Sequence, residues 1–471
     1  MIEHINEPEK KTRIRARYDV IICGGGTAGI TAAIASARGG ASTALVESSG
    51  FCGGVATQSG VNGVGGWQYD LDGRPLISGI PLEIMRRVAE LGGADLKLVD
   101  QLSRPIKTPN YKDGGLGCFW IRVNPELYKI ALDRLLLDSG VHLYYHTLVS
   151  EPILEDSVIK GVFIESKSGR EALRADVVID CTGDGDIASR AGESFFYGRD
   201  EDSACQPMTT IFTVSADDCP KLKYNVSQHA VDGHKDLSAN RYAGAVSLAR
   251  KRGEINRNPN DILCSATPLT NTDRRIFSVN FTRIQSRSAI DIDELTSAEI
   301  DGREQVIEAI QFMRKYVEGC GNAELLFIPP RIGVRESRRI RGQYCLTQSD
   351  ILNSTVFPDA ICRGIYLMDI HNPTEIGKPS VLRLLDQPYS IPYRCLVPLK
   401  TKGLLMAGRC ISGDHSAHAS FRIQSHCMAV GQAAGVAAAL AIKNRISPDS
   451  IDIRELKNML NQSDVNTGDS L

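Results

Sequence analysis

The stretch from residue 18 to residue 54 constrains the fold of this chain more than any other part of it. An apolar run over residues 18–22 predicts a buried β-strand. The run passes directly into Gly24, Gly26 and Gly29, which form a G-x-G-x-x-G pattern. A strand that meets this pattern and then opens a helix is typical of a nucleotide-binding βαβ unit.

The three glycines have separate tasks in such a unit. Gly24 permits the tight turn, Gly26 lets the backbone approach a phosphate, and Gly29 lets the helix pack closely on the strand. Thr27 and Ala28 lie where the helix begins, and there the unpaired N–H groups and the positive end of the helix dipole favour a pyrophosphate. We therefore expect these five residues to contact a dinucleotide.

A carboxylate completes the pattern. Residues 30–38 predict the helix, a glycine break follows, and residues 44–46 predict a second strand that ends in Glu47. Glu47 follows Gly29 by 18 residues, which is the spacing at which an acidic side chain meets ribose hydroxyls. A glycine pattern alone is often an ordinary loop, but strand, helix, second strand and carboxylate in register favour dinucleotide binding.

A second pair of glycines distinguishes between dinucleotides. Gly53 and Gly54 come shortly after Glu47 and are followed by Thr57. Here the chain resembles flavoproteins of the glutathione-reductase type, whose paired glycines after the acidic residue lie beside the flavin diphosphate and ribityl chain. The resemblance implies FAD rather than NAD. Cys52 precedes the pair and is therefore expected near the phosphates, so the FAD is expected to be non-covalent.

Composition limits the remaining function classes. The chain has 471 residues and 42% hydrophobic content, enough for two or three domains with large cores. Its 54 basic and 56 acidic residues nearly cancel, so neither nucleic acid nor a membrane is an expected partner. The first 17 residues have no apolar core and no run approaches 18 apolar residues, which predicts a cytoplasmic protein. The 13 cysteines form no C-x-x-C pair, so no metal site is expected.

The pattern of elements predicts an α/β fold. We expect a Rossmann-like FAD-binding domain built from discontinuous segments, with an inserted α+β substrate domain. The predicted FAD-binding segments are residues 15–65, 121–195 and 391–445. The other predicted units are an excursion towards the substrate domain at residues 66–120, the substrate-binding domain at 196–390, and a C-terminal tail at 446–471.

The second and third FAD-binding segments each bring residues back to the cofactor. Residues 141–181 alternate strands and turns and predict a three-stranded meander that rejoins the parallel sheet. In a flavoprotein of this type, the extended backbone at Val149 meets the adenine edge, and Thr182, Gly183 and Asp184 close the turn beside the cofactor. An ordinary strand-to-helix loop is the alternative for that turn.

The third segment contains an apolar strand, LLMAGR, that ends in Gly408 and Arg409. The helix predicted over residues 428–442 is rich in small side chains, among them Gly431 and Ala434, which allow close packing against the sheet and the flavin. A tightly packed structural helix is the alternative, and the two interpretations are compatible.

Five stretches of the sequence resemble one family of FAD-dependent oxidoreductases, which includes relatives of the flavin subunit of heterodisulfide reductase. The stretches are the N-terminal fingerprint with FCGGVAT, DVVIDCTGDGDIASRAG, RESRRIRGQY, YSIPYRCLVPL and LLMAGRCISGDHSAHASFRIQSHCMAVGQAAG. Together they cover most of the chain. The iron–sulfur cysteine runs of true heterodisulfide reductase subunits are missing, and no second G-x-G-x-x-G follows a strand, so electrons are expected to pass to an external acceptor.

Four residues are the candidate catalytic groups. His415 and Arg422 belong to a histidine-rich segment just before the small-residue helix, where they are expected to transfer a proton and to anchor a substrate. His371 follows Asp369 by two positions, so both side chains share a face if the segment is a strand. Arg335 lies in the densest basic run and is expected to bind an anionic or carbonyl group, while its neighbours form salt bridges. Purely structural roles are the alternative for all four.

These observations predict an FAD-dependent oxidoreductase that transfers a hydride between a small polar organic substrate and flavin N5. An external electron acceptor re-oxidises the cofactor. Two alternatives stay open: a flavin-dependent isomerase or lyase without net redox change, and a non-enzymatic flavoprotein electron carrier. The oligomeric state is also open, and a homodimer through the middle domain is ordinary for such folds.

Overall fold

The computed structural model describes residues 5, 9–106, 119–220, 230–231, 234–235, 242–259, 265–269, 273–374 and 381–468. The helices are α1 (Thr27–Arg38), α2 (Val55–Gln58), α3 (Ile80–Glu90), α4 (Leu96–Leu102), α5 (Pro125–Asp138), α6 (Asp186–Arg190), α7 (Ala243–Lys251), α8 (Ile292–Tyr316), α9 (Gln348–Leu352), α10 (His415–Phe421), α11 (Gln424–Asn444) and α12 (Ile453–Gln462).

The strands are β1 (Ile14–Cys23), β2 (Thr43–Val46), β3 (Gly63–Trp67), β4 (Phe119–Arg122), β5 (His142–Tyr144), β6 (Leu148–Glu155), β7 (Val158–Ser166), β8 (Gly169–Asp180), β9 (Phe195–Tyr197), β10 (Phe212–Ser215), β11 (Ala230–Val231), β12 (His234–Lys235), β13 (Ser265–Pro268), β14 (Ile276–Asn280), β15 (Glu324–Phe327), β16 (Arg338–Ile340), β17 (Ala360–Gly364), β18 (Met368–Ile370), β19 (Val381–Arg383), β20 (Tyr389–Pro392) and β21 (Leu404–Met406).

A parallel sheet forms the centre of the molecule. Its strands run in the order β5, β2, β1, β8, and β21 pairs with the final residues of β8. The register pairs Cys23 with both Val46 and Asp180, and Asp180 with Met406. The carboxyl ends of four strands therefore form one row, and the loops that follow them share one edge of the sheet. The predicted α/β fold with a Rossmann-like sheet is confirmed.

The expected meander is present beside this sheet. β6 pairs antiparallel with β7, and β7 pairs antiparallel with the first half of β8. The second half of β8 then runs parallel to β1. One long strand thus connects the meander to the parallel sheet, as the alternation of strands and turns predicts.

Helices α1 and α11 pack against each other along the sheet in the same direction. A Cβ added to Gly431 would lie 2.1 Å from the carbonyl oxygen of Ala28, and one added to Gly435 would lie 2.2 Å from that of Ala32. The two glycines therefore permit this close approach. Ala28 is the second residue of α1, and Gly431, which lies beside it, is the eighth residue of α11. The N-terminus of α11 therefore extends six residues, or about 9 Å, beyond the N-terminus of α1.

Helix α11 combines length with a largely apolar composition. Among the described residues, Gln424–Asn444 is a helix long and apolar enough to cross a membrane, with a mean hydropathy of 1.4 over an 18-residue window. In this fold 94% of that window is buried inside the protein. The apolar character of the helix is accounted for by its contacts with α1 and the sheet.

The packing divides the chain differently from the predicted domains. A second hydrophobic core, separate from that of the sheet, is built from residues 212–323 and lies between α8 and the sheet of β10, β13, β14 and β15. Residues 340–397, most of which were assigned to the substrate domain, contribute instead to the main core. The excursion at 66–120 contributes to the main core as well, through residues such as Trp67 and Met85.

The predicted C-terminal tail forms a packed helix. Leu456 and Leu460 on α12 are fully buried in the main core. The amide side chain of Gln432 on α11 accepts a hydrogen bond from the N–H of Ile80 at 3.0 Å, where α3 begins. Residues 446–468 are thus an integral part of the main core, because the apolar face of α12 is covered there.

Candidate functional site

The glycine loop after β1 has the geometry expected of a phosphate-binding turn. Gly24 has a φ of +106°, and a Cβ on Gly29 would lie 1.8 Å from the carbonyl oxygen of Gly24. A Cβ on Gly26 would meet only the Cα of Gly54, at 4.0 Å. Gly24 and Gly29 are therefore required by the turn and the packing, whereas Gly26 leaves room for a group outside the chain. The start of α1 has no side-chain cap and no acidic residue in its first turn.

Glu47 at the end of β2 faces this loop. Its carboxylate accepts hydrogen bonds from the N–H groups of Gly25 at 2.8 Å and Ser49 at 2.7 Å, and from the amide of Gln58 at 3.3 Å. The side chain is 5% exposed. The carboxylate thus holds both loops that follow β1 and β2, which is also where a ribose would be bound.

The second pair of glycines packs directly on the first loop. The N–H of Gly53 donates to the carbonyl oxygen of Gly25 at 2.9 Å, and a Cβ on Gly54 would lie 2.9 Å from the Cα of Gly26. Thr57 turns back onto this pair and donates to the carbonyl oxygen of Cys52 at 3.0 Å. Burial raises the pKa of the Cys52 thiol well above its ordinary value, so this cysteine is a neutral packing residue.

The turn after β8 is joined to the loop after β21 by an ion pair. Arg409 donates to Asp184 at 2.6 Å and to the hydroxyl of Ser337 at 2.9 Å. A Cβ on Gly183 would lie 3.1 Å from the Arg409 guanidinium, and one on Gly408 would lie 3.2 Å from the Cβ of Ala28. Gly183 and Gly408 therefore let these two turns approach Arg409 and the start of α1.

The remaining predicted cofactor residues occupy different surroundings. Thr182 is held by the buried Asp180, which accepts from its hydroxyl at 2.7 Å. Val149 is the second residue of β6. Just before this strand, the N–H of Thr147 donates to the carbonyl oxygen of Glu47 at 3.0 Å. Gly431 contacts α1 and does not face the open edge of the sheet, so the alternative of a tightly packed structural helix accounts for this glycine. Ala434 lies buried one turn further along α11.

Buried polar atoms without partners mark the start of α11. Among the described residues, the Asn62 amide nitrogen, the Gln424 carbonyl oxygen and the Ser425 hydroxyl have no hydrogen-bond partner. The orientation of Gln424 is set because its amide nitrogen donates to the carbonyl oxygens of Val61 and Gly63, each at 3.2 Å. Such atoms normally have partners when buried. A polar ligand here, about 9 Å beyond the glycine loop, would satisfy them, and the residues present fit FAD.

A second cluster, the Asp369 cluster, contains three of the four predicted catalytic residues. His371 Nε2 lies 3.3 Å from the Asp369 carboxylate, and Arg422 lies 3.7 Å from it. Burial alone would raise the pKa of Asp369, but His371, Arg422 and Arg335 together lower it well below its ordinary range. Burial, reinforced by Arg335 and Arg283, lowers the pKa of His371 to about 3. At neutral pH the carboxylate is therefore ionised and the imidazole neutral.

Arg335 reaches this cluster from the basic run. Its guanidinium donates to the carbonyl oxygen of Pro207 at 2.7 Å and to the hydroxyl of Thr209 at 2.5 Å. Arg283 donates to the same hydroxyl at 3.4 Å. Burial lowers the pKa of His371, and both guanidinium groups lower it further because a nearby positive charge disfavours the imidazolium.

The other four arginines of the run have structural partners, and two of them form the salt bridges that the sequence analysis predicts. Arg338 forms a salt bridge with Asp186, and Arg339 forms one with Glu336. Arg331 donates to the hydroxyl of Ser48 at 2.8 Å. Arg341 stacks on the ring of Phe196, with its guanidinium 3.8 Å from the ring centroid.

His415, the fourth predicted catalytic residue, belongs to a separate histidine–carboxylate pair. Its Nδ1 lies 2.9 Å from the Glu336 carboxylate, which also forms the salt bridge with Arg339. Burial opposes ionisation of Glu336, but His415 and Arg339 outweigh it, and the pKa of Glu336 is lowered. Glu336 is therefore a buried anion that holds the start of α10 against β16.

Gln206 joins the two pairs. Its N–H donates to Glu336 at 2.9 Å, and its side-chain oxygen accepts from the N–H of His371 at 3.2 Å and from Arg422 at 3.3 Å. Neither Gln206 nor Glu336 was among the predicted site residues. Glu336 could have been recognised as the only acid inside the run RESRRIRGQY, whereas nothing near Gln206 in the sequence marks it.

Comparison with known proteins finds a family model that covers most of the chain and a relative that matches part of it. The model of a family described as FAD dependent oxidoreductase matches residues 19–460. A digeranylgeranylglycerophospholipid reductase of Sulfolobus acidocaldarius is 28% identical over 176 residues, which cover 36% of this chain and 34% of that protein. The chain therefore matches about a third of the length of this relative.

Two solved structures are among those to which the chain is similar. The p-nitrophenol 4-monooxygenase of Pseudomonas putida matches with a TM-score of 0.45 and 10% identity, over 97% of this chain and 91% of that one. A geranylgeranyl bacteriochlorophyll reductase-like protein of Thermoplasma acidophilum matches with a TM-score of 0.40 and 11% identity, over 95% and 84% of the two chains.

Proposed function

The chain belongs to the FAD-dependent oxidoreductase family, and we propose that it transfers a hydride between a small organic anion and its FAD, with an external electron acceptor. The single observation that carries the choice of substrate is the convergence of Arg335 and Arg422 on the Asp369–His371 pair. Guanidinium groups favour carboxylates and other planar anions because they present paired donors.

FAD, when bound, supplies a two-electron acceptor for the substrate hydride. The chain holds it through the glycine loop at residues 24–29, through Glu47 and through the turns at residues 182–184 and 408–409. The start of α11 supplies backbone N–H groups and the positive end of a helix dipole for the negative charge that a reduced flavin gains. The many protein contacts of Glu47 keep this arrangement rigid.

The Asp369–His371 pair supports proton transfer at the substrate. The imidazole is neutral at neutral pH and can receive a proton from a substrate hydroxyl once an anionic substrate offsets Arg335 and Arg283, which add to burial in holding its pKa at about 3. The ionised carboxylate 3.3 Å away then stabilises the imidazolium that results. Arg422, whose guanidinium also donates to the carbonyl oxygen of Asp369 at 3.0 Å, orients this pair and an anionic substrate together. His415 is the second candidate for proton transfer, with Glu336 in the corresponding role.

The experiment is anaerobic mixing of the yellow holoprotein with small carboxylic acids, hydroxy acids, sugars and amines while the flavin absorbance is followed. We expect bleaching by an acid, and Arg335→Ala is expected to slow it at least about 10-fold without loss of FAD. Arg341→Ala is the matched control from the same run, because Arg341 stacks on a surface ring. Normal bleaching in Arg335→Ala with normal flavin content would contradict the role of Arg335.

The two alternatives predict different results in the same experiment. An isomerase or lyase would turn its substrate over anaerobically without any acceptor and without net bleaching. An electron carrier would be reduced by a partner protein but by none of the metabolites. The finer relationship to the flavin subunit of heterodisulfide reductase and the cytoplasmic location remain part of the proposal, supported by the sequence motifs and composition described above. The oligomeric state stays open, and a homodimer is ordinary for such folds.

A further inference from the structure

The amide of Gln206 has a defined orientation. Its side-chain oxygen must face the N–H of His371, because a backbone N–H can only donate, and the two atoms are 3.2 Å apart. The same oxygen accepts from Arg422 at 3.3 Å. The amide nitrogen is consequently directed away from both donors.

That nitrogen is a buried donor with no partner anywhere in the described part of the chain. Gln206 is 2% exposed, so solvent does not satisfy it either. A second unpartnered donor, Nε of Arg422, belongs to the residue that Gln206 contacts. A buried donor without a partner is destabilising, and two on adjoining side chains point to a ligand as their partner.

The two donors differ in charge, and this difference indicates the ligand. A guanidinium pairs best with a carboxylate, whereas a neutral amide donor suits a neutral acceptor such as a hydroxyl or a keto oxygen. The groups beside them are accessible, since the side chains of Asp369, His371 and Arg422 are 20%, 16% and 15% exposed. A ligand therefore reaches the two unpartnered donors by passing these three side chains.

We propose that Gln206 is a specificity-determining residue whose amide nitrogen donates to an oxygen on the carbon next to the substrate carboxylate, so that the substrate is a 2-hydroxy or 2-oxo acid. This inference rests on the proposed function, because it uses the anion-binding role of Arg422. It adds a second, neutral recognition point and a narrower substrate class.

The test uses two acids of nearly the same shape, 2-hydroxy-2-methylpropanoate and 2,2-dimethylpropanoate. They differ by a hydroxyl in place of a methyl, and neither carries hydrogen on the carbon that would be oxidised, so binding is measured without turnover. Their dissociation constants are obtained from the change in the flavin spectrum of the holoprotein. We expect the wild type to favour the hydroxy acid by about 3- to 10-fold, the contribution of one hydrogen bond.

Two variants of Gln206 separate the donor from the structural bonds. Gln206→Met removes the donor together with the acceptor for His371 and Arg422, and is expected to reduce the preference for the hydroxy acid to about 1. Gln206→Glu keeps the acceptor for His371 and Arg422, so it is expected to fold with full flavin content, but its added negative charge is expected to weaken both acids. Gln101→Met, at an exposed position on α4, is the control.

The outcomes distinguish this inference from the proposed function. If Gln206→Met keeps the wild-type preference, or if the wild type has none while Arg422→Gln weakens both acids, the role of Gln206 is overturned and the anion site stands. If neither acid binds the wild type, or if Arg422→Gln leaves both dissociation constants unchanged, the anion site fails as well.

Discussion

The backbone N–H of His371 donates to the side-chain oxygen of Gln206 at 3.2 Å, and this bond connects the two histidine–carboxylate pairs of the molecule. Gln206 donates its own N–H to Glu336, which pairs with His415. A residue with no charge therefore sets the relative positions of the charged groups. The arrangement matters because proton transfer and anion binding depend on the distances between these charged groups. The groups lie on different elements, so contacts between the elements must maintain those distances.

Replacing Gly29 by alanine tests the packing of the glycine loop. A Cβ there would lie 1.8 Å from the carbonyl oxygen of Gly24, a backbone atom that cannot move without breaking the turn. We expect Gly29→Ala to lose FAD or to be insoluble, as measured by the flavin-to-protein absorbance ratio. Gly244→Ala, where an added Cβ meets nothing within 4 Å, is the control and should retain full flavin. Full flavin content in Gly29→Ala would contradict the account of this loop.

Replacing Glu47 by glutamine tests the carboxylate at the end of β2. Both of its oxygens accept from backbone N–H groups, those of Gly25 and Ser49, so an amide nitrogen would place a donor against a donor. The loss of one charge-assisted bond corresponds to about 1.5–3 kcal/mol, or a 10- to 100-fold weaker affinity for FAD. Titration of the apoprotein with FAD measures this, with the exposed Glu126→Gln as control. An unchanged affinity would rule out the proposed role.

Replacing Glu336 by glutamine leaves Arg339 buried without its anion. We expect the free energy of unfolding to fall by roughly 3 kcal/mol at pH 7, the usual cost of breaking a buried pair. Because the pKa of Glu336 is lowered in the folded state, its contribution is complete above about pH 4.5 and is lost as the pH falls through the lowered value. Urea unfolding should therefore show a difference between wild type and variant that narrows below pH 4.5. If the difference in the free energy of unfolding between wild type and Glu336→Gln did not change with pH, the ionised state of Glu336 would be contradicted. The control is Glu304→Gln, on the exposed face of α8.

His426 makes the stability depend on pH in a second range. Burial lowers its pKa from 6.5 to about 3, so below pH 6.5 the unfolded chain binds a proton that the folded chain does not. This residue should therefore reduce the free energy of unfolding by up to about 1.4 kcal/mol for each pH unit between 6.5 and 3. His426→Leu should reduce the slope of the free energy of unfolding against pH by the contribution of one proton. Urea unfolding between pH 6.5 and 5 measures this slope. The exposed His142→Gln is the control, and equal slopes for His426→Leu and the wild type would show that burial does not suppress protonation.

The glycine loop and Glu47 were predictable because they depend on neighbours in the chain. The order of strand, turn, helix and second strand is sufficient to bring Gly24, Gly29 and Glu47 together, since a βαβ unit has one handedness and short connections. The meander and the row of strand ends follow from the same alternation of elements. The precise role of a glycine is less local, and Gly431 proved to contact α1.

The Asp369 cluster and its link to Glu336 could not be predicted in this way. Gln206 and Glu336 are 130 positions apart, and Ser337 reaches Asp184 across 153 positions. Periodicity carries no information about which distant turns meet. The densest basic run predicted Arg335 as the substrate-binding arginine, but only the three-dimensional contacts show which partner each neighbouring arginine has.

The sequence by itself therefore determined the nucleotide-binding unit and the cofactor class, because these depend on local backbone geometry and on spacings within a single βαβ unit. The tertiary structure decided which polar groups face one another at the edge of the sheet. It did so through packing, since α10, α11 and the segments around residues 206 and 370 come together only when the main core forms. The neutral state of His371 follows from that burial, whereas the negative charge of Glu336 is retained because His415 and Arg339 lie beside it, and no pattern along the chain specifies these contacts.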